Sequence, residues 1–290
     1  DDAPKRLVWA SREVEGPSRL DEALPKGDWG RSWDIAVLAV RRAGDAKLAA
    51  DVRDLSDRVD PHGKLTWAAP AGRWTILRFA HTLMAGREDE VDILDAAAVA
   101  RHFERMGGAL LKDAGPLAGK TLTHFYSVSW EGAIPTWTAG FEGEFARRRG
   151  YGLVPYLPVL AGTTVGDAER SARFLRDYRK TLGECFMDHC YGTLRSLCHK
   201  AGLQWHSESG GPWNRKLPTF GQADQIAFLG RNDMPQGEFW WGGRGMNRPA
   251  AMAAHVYGRP LAATEAFTHM RTHWSACPAT LKPDADAAFC

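Results

Sequence analysis

From His81 onward the chain alternates helical stretches of roughly ten or more residues with short β-type runs, the signature of βα units joined into a parallel sheet. The pattern predicts a short strand at Val91–Leu94, a helix over Ala96–Asp113 ending in Gly115 and Pro116, and a strand at Leu122–Ser129. A helix comes next near Gly140–Arg149. A long one runs from about Asp167 to Ala201, with Leu175, Tyr178, Leu182, Cys185, Phe186, Leu194 and Leu197 at helical spacing and Gly202 as its stop. Leu203–Glu208, Met234–Trp241 and Pro260–Phe267 read as further strands, separated by helices near Phe220–Leu229 and Pro249–Tyr257. Such an order closes most readily into an α/β fold of the (β/α)8 TIM-barrel type.

Before that point the texture is β-rich. Trp33–Val40, Lys64–Ala69 and Arg73–Ala80 read as strands, and Asp60–Gly63 and Pro70–Gly72 as turns between them. The expected organisation is part of a β-rich, sandwich-like domain over 1–80, lacking its first strands, followed by a barrel domain over 81–290. The start at Asp1 reads as a trimming point, and Leu281–Cys290 as a helix leading into a strand that does not follow, so the barrel is expected to be truncated at its C-terminal end.

Catalytic groups of such barrels sit at the carboxyl ends of strands. Four glutamates satisfy that rule: Glu131, Glu208, Glu238 and Glu265 each end a β-type run. A glutamate there is costly to bury unless it is paired or functional, so four at one end of one sheet argue for a shared acidic cleft. Glycoside hydrolysis needs two such groups, one protonated to assist the leaving oxygen and one ionised to activate water or attack the sugar. The remainder are available to bind sugar or a hard divalent cation. Trp130, Trp205, Phe239, Trp240 and Phe267 neighbour these acids and offer flat faces for a sugar ring.

The segments SWE (129–131), RRGYGLVPYLP (148–158), HSESGGP (206–212), LGRNDMPQGEFW (229–240) and EAFT (265–268) resemble, in this order, glycoside hydrolase family 106, the α-L-rhamnosidases. The resemblance implies an inverting hydrolase that removes terminal α-L-rhamnose from plant polysaccharide or glycoside side chains, aided by calcium. It implies Glu131 as general acid and Glu265 as general base. Glu208, Glu238, His206, Trp130, Asp233 and Trp240 would then bind substrate or calcium, and the resemblance favours a bacterial periplasmic or secreted location. Two departures from the family pattern bear on substrate choice: a short stretch over His81–Asp95, and Thr268–Trp274 in place of a glycine-bearing turn after the last glutamate. A glycosidase of other specificity on the same barrel, or a non-catalytic carbohydrate-binding homologue, stands as the alternative.

The remaining features carry less. A net charge of +2 gives no electrostatic case for nucleic acid, and no apolar run is long enough for a membrane span. The five cysteines, Cys185, Cys190, Cys198, Cys277 and Cys290, are spaced for neither a disulfide framework nor a metal knuckle. Ala114–Thr121 matches a loose phosphate-loop pattern, but its expected order is helix then strand, the reverse of what a phosphate loop needs. His269 and His273 lack the glutamate of a zinc-binding helix, and Arg147–Arg149 at a helix end complements the helix dipole.

Overall fold

The computed structural model describes residues 2–44, 48–130, 132–133, 135–209, 224–242, 247–270 and 274–289. In chain order the elements are β1 (Lys5–Ala23), β2 (Ser32–Arg42), β3 (Leu48–Asp54), β4 (Lys64–Leu83), α1 (Ala96–Ala114), β5 (His124–Ser127), α2 (Phe141–Arg149), α3 (Leu157–Leu160), β6 (Thr164–Val165) and α4 (Ala168–Cys185). A π-helical segment, Phe186–Gly192, then leads into α5 (Thr193–Lys200), β7 (Gln204–Ser207), α6 (Gln225–Leu229), β8 (Met234–Trp240), α7 (Arg248–Val256), β9 (Ala263–Thr268) and α8 (Pro278–Phe289).

The chain divides into two compact units, one formed by 1–94 with 135–182 and the other by 95–134 with 183–290. The first unit holds a five-stranded sheet in the order β1-β4-β2-β3-β6, antiparallel except for the short β3–β6 pairing. Its core gathers Val14, Leu20, Val37, Ala39, Leu65, Trp67, Trp74 and Ile76. Leu65, Trp67 and Ala69 are buried while Thr66 and Ala68 between them are exposed, the alternation of a strand with one wet face.

Two expectations are corrected by this sheet and its surroundings. Pro70–Gly72 is not a turn between two strands but lies within β4, a single strand of 20 residues. It sits opposite Gly16 and Pro17, where the register of β1 shifts, and a Cβ on Gly16 would lie 1.9 Å from the Pro70 carbonyl oxygen. The turn residues therefore serve a bulge, which tolerates Gly and Pro inside a strand. Val91–Leu94 is not a strand either. Asp92 there is fully buried, paired with Lys5 at 3.2 Å, and accepts from the Thr138 hydroxyl and the Leu94 N–H.

The second unit holds a curled parallel sheet in the order β5-β7-β8-β9. These four strands form a half-barrel, and a closed eight-stranded barrel is not seen among the described residues. Asp95 caps α1 by accepting from the Ala97 N–H, and Asp224 caps α6 by accepting from Ile226 and Ala227. Gly115–Leu117 is a 3₁₀ turn between α1 and β5 that leaves Lys120 exposed, so Ala114–Thr121 connects helix to strand. Cys185, Cys190 and Cys198 are buried, Cys277 is exposed, and Cys290 lies outside the described residues. No described helix is long and apolar enough to cross a membrane.

Candidate active site

Side chains alternate along each parallel strand, so every second residue shares a face. On one face Phe125 packs against Phe103 of α1 at 5.8 Å, and Trp205 lies 6.4 Å from Tyr191. The other face carries the polar groups. Tyr126 of β5 is in register with His206 of β7, their rings 4.8 Å apart, and Glu238 of β8 is in register with Glu265 of β9.

Counting by two from these positions brings Glu208, Gln236 and Trp240 onto the same face. Gln236 is buried, and its amide nitrogen donates to the Tyr126 hydroxyl at 3.2 Å and to the Glu208 carboxylate. Glu208 and Glu238 are buried at 2% and 6% exposure, whereas Glu265 is exposed. The Trp240 indole N–H donates to Glu238, and the Thr268 hydroxyl donates to Glu265. A bulge makes the latter contact possible: Phe267 is the extra residue of β9, with φ of 63°, which turns Thr268 back over the glutamate.

Burial raises the pKa of Glu208 to about 7; the Gln236 amide opposes the shift, while the nearby charges of Glu265 and Glu238 and a hydrogen bond with Glu265 add to it. Glu208 therefore holds a proton over much of the range below neutrality. His206 is shifted down, first by burial and then by His124, with Gln236 acting against the shift, so it meets a ligand as a neutral imidazole.

Three of the four expected glutamates are thus brought together, with His206 and Trp240 on the same face. Glu131 and His273 lie outside the described residues. Trp130 leaves β5 with its N–H donating to the Ser209 carbonyl at 3.1 Å and its ring edge-on to Phe186 at 5.8 Å. His269 packs edge-on to Trp241 at 5.1 Å. Asp233 stands apart. It precedes β8, about 16 Å along an extended chain from Glu238, and accepts from Arg195 (2.8 Å), His199 (2.8 Å) and the Trp205 N–H (2.9 Å). Burial alone would raise the Asp233 pKa, but these donors outweigh it and hold the carboxyl below its usual range.

Sequence reasoning passes over Tyr126 and Gln236. The available signal is the two-residue period: Gln236 is two positions before Glu238, and Tyr126 matches His206 once β5 and β7 are aligned. For calcium the donor chemistry fits, since carboxylate oxygens are the hard ligands that ion takes. The like-charge neighbours Glu208 and Glu238 are a pair that a divalent cation would satisfy.

The model of a family described as alpha-L-rhamnosidase, glycoside hydrolase family 106, matches residues 31–290. A Formosa agariphila protein described as "Putative beta-glucuronidase" is 34% identical over 332 aligned residues, covering 99% of this chain and 28% of that protein. A solved rhamnosidase structure from Novosphingobium sp. PP1Y superposes with a TM-score of 0.83 at 22% identity, covering 99% of this chain and 45% of its own. The chain thus spans less than half the length of either relative, and the structural likeness establishes the fold.

Proposed function

The chain belongs to the alpha-L-rhamnosidase family of glycoside hydrolases, and from that premise we propose that its acidic face hydrolyses a terminal α-L-rhamnosidic bond with inversion. The observation that carries the reading is the convergence of Glu208, Glu238 and Glu265 at the carboxyl ends of three adjacent parallel strands. In this reading the four parallel strands are half of a (β/α)8 barrel, and the cleft is its carboxyl-end mouth. The substrate would be rhamnose on plant polysaccharide or glycoside side chains.

An inverting pair stands roughly 6.5–9.5 Å apart to admit water beneath the sugar. Glu208 and Glu265 are hydrogen-bonded, closer than that, so they do not form the pair by themselves. Glu265 is assigned as general base, exposed to the cleft and oriented by Thr268. Glu131, the residue after Trp130 in the sequence, is assigned as the general acid. Glu208, which lies beside Glu265 on this face, is assigned to position the base. Glu208 and Glu238 would hold calcium when it binds, and the ion would supply fixed positive charge for sugar hydroxyls. Tyr126, His206 and Trp240 line the same face and are assigned to the sugar.

A different glycosidic specificity is the second reading, favoured by the description of the Formosa relative. One experiment separates the two. The full-length protein is assayed on an aryl glycoside panel containing α-L-rhamnoside and β-D-glucuronide, alongside Glu131→Gln and Glu265→Gln. Cleavage of the rhamnoside alone, lost by roughly 10²–10⁴-fold in both variants with circular dichroism unchanged, is the expected result. Cleavage of the glucuronide moves the specificity. Near-normal turnover in either variant removes that residue from the chemistry.

A further inference from the structure

Ser209 comes directly after Glu208 and adopts φ of 58°, a left-handed conformation that a residue with a Cβ holds only when its surroundings force it. The surroundings do so completely. Its N–H donates to the Ser207 hydroxyl at 3.0 Å, its hydroxyl accepts from the Asn232 amide at 2.7 Å, and its carbonyl accepts from the Tyr191 hydroxyl at 2.9 Å and from the Trp130 N–H at 3.1 Å. Asn232 is fixed in turn, accepting from the Ser207 hydroxyl and donating to the Leu229 carbonyl. Ser207, Ser209, Asn232 and Tyr191 are all buried, at 0–3% exposure.

Tyr191 reaches this point from an unusual piece of backbone. It lies in the π-helical segment between α4 and α5, and a π turn widens the helix by one residue, so the side chains beyond it point in directions an uninterrupted α-helix would not give them. Phe186 and Phe228 hold its ring at 5.4 Å each, so its hydroxyl has one direction to point. Burial raises its phenol well above the ordinary range, which keeps it a donor at any working pH.

We propose that Tyr191 and Asn232 are positioning residues: they clamp Ser209 in its left-handed conformation, fixing Glu208 on the acidic face and joining the exits of β5 and β7 at the Ser209 carbonyl. The left-handed residue follows the glutamate directly, so its conformation bears on where that carboxylate sits relative to Glu265. The second bond to the same carbonyl comes from Trp130, which precedes Glu131 in the sequence, so one acceptor sets the course of both segments. The catalytic half of this inference rests on the hydrolase reading proposed for the acidic face, whereas the clamp itself does not.

The test is Tyr191→Phe in the full-length protein, which removes one hydroxyl and leaves the ring in place. Two quantities are read: steady-state kinetics, and amide hydrogen exchange resolved at Trp130. The clamp predicts exchange at Trp130 faster by about tenfold, with Phe125 and Tyr126 of β5 unchanged, and kcat lower by about tenfold with KM within about twofold. Unchanged exchange at Trp130 overturns the clamp. Faster exchange with unchanged kcat overturns its positioning role. If the wild-type protein cleaves no glycoside the hydrolase reading falls, and the exchange result still decides the clamp. Should Tyr191→Phe fail to fold, Ser207→Ala, which deletes the acceptor of the Ser209 N–H, provides the same two readings.

Discussion

Asp233, a candidate for binding sugar or calcium by its place in the sequence, has surroundings that make it a structural hub at the opposite end of the sheet. Replacing it tests the difference. The carboxylate is only 10% exposed and satisfies the Trp205 amide, Arg195 and His199. In Asp233→Ala the Trp205 N–H loses its acceptor at the buried start of β7, a loss of about 1–3 kcal/mol. Arg195 and His199 are 31% and 46% exposed and turn to water, so each contributes only about 0–1 kcal/mol. The sum is a destabilisation of about 1–5 kcal/mol, and Asp233→Asn, which still accepts from Trp205, should lose about 1 kcal/mol. Urea unfolding followed by tryptophan fluorescence at pH 7 measures both. The pH dependence has a definite sign. A carboxyl held below its unfolded pKa contributes stability that is complete above that pKa, about 3.9, and lost as the pH falls through the folded value. The gap between wild type and Asp233→Ala should therefore narrow toward pH 3. A loss under about 0.5 kcal/mol at pH 7, the range of an uninvolved surface site, would refute the hub. So would a raised KM at unchanged stability, which is the mark of a ligand-binding group.

Other groups give three further expected outcomes. Calcium bound through Glu208 must displace the proton that this group holds up to about pH 7, so calcium affinity should rise by about tenfold per pH unit below 7 and level off above it; titration calorimetry on chelator-treated protein at several pH values measures this, and a flat profile removes Glu208 from the ligand set. If calcium supports the site, chelation should lower the melting temperature and re-addition restore it, read by differential scanning calorimetry; no change in either direction counts against a structural ion. Lys5→Met leaves the fully buried Asp92 without its cation and should destabilise the first unit by about 3–5 kcal/mol in urea unfolding; a loss under about 0.5 kcal/mol would mean that the charge pair is irrelevant.

Much of the architecture is legible in the chain because hydrophobic period survives in single sequences. The helix over 96–114 and the strands at Gln204–Ser207, Met234–Trp240 and Ala263–Thr268 lie within a few residues of their expected bounds. The first strand, Lys5–Ala23, carries no such signal. Its buried positions include Lys5, Leu7, Val14 and Leu20, separated by polar residues and interrupted by the bulge at Gly16, so no two-residue period runs through it. The break at Pro70–Gly72 misleads for the same reason, since Gly and Pro mark a bulge as readily as a turn. The π segment is equally silent in the sequence. Cys185, Phe186, Leu194 and Leu197 keep an apolar stripe across it, and only the direction of Tyr191 records the extra residue.

The acidic face divides along a similar line. Glu208, Glu238 and Glu265 can be read from the chain because a carboxylate at a strand end is expensive without a task. Gln236 and Tyr126 are ordinary strand residues by composition, and only the register of β5, β7 and β8 places them on the face of the acids. Asp233 groups with Glu238 in sequence because the two are near neighbours in one motif, but proximity in sequence is a poor guide inside a strand. Side chains on one face recur every second residue and advance about 6.6 Å each time. Counting by two back from Glu238 passes through Gln236 and Met234 and never reaches Asp233, whose carboxylate instead tethers α5 and the start of β7 through Arg195, His199 and Trp205.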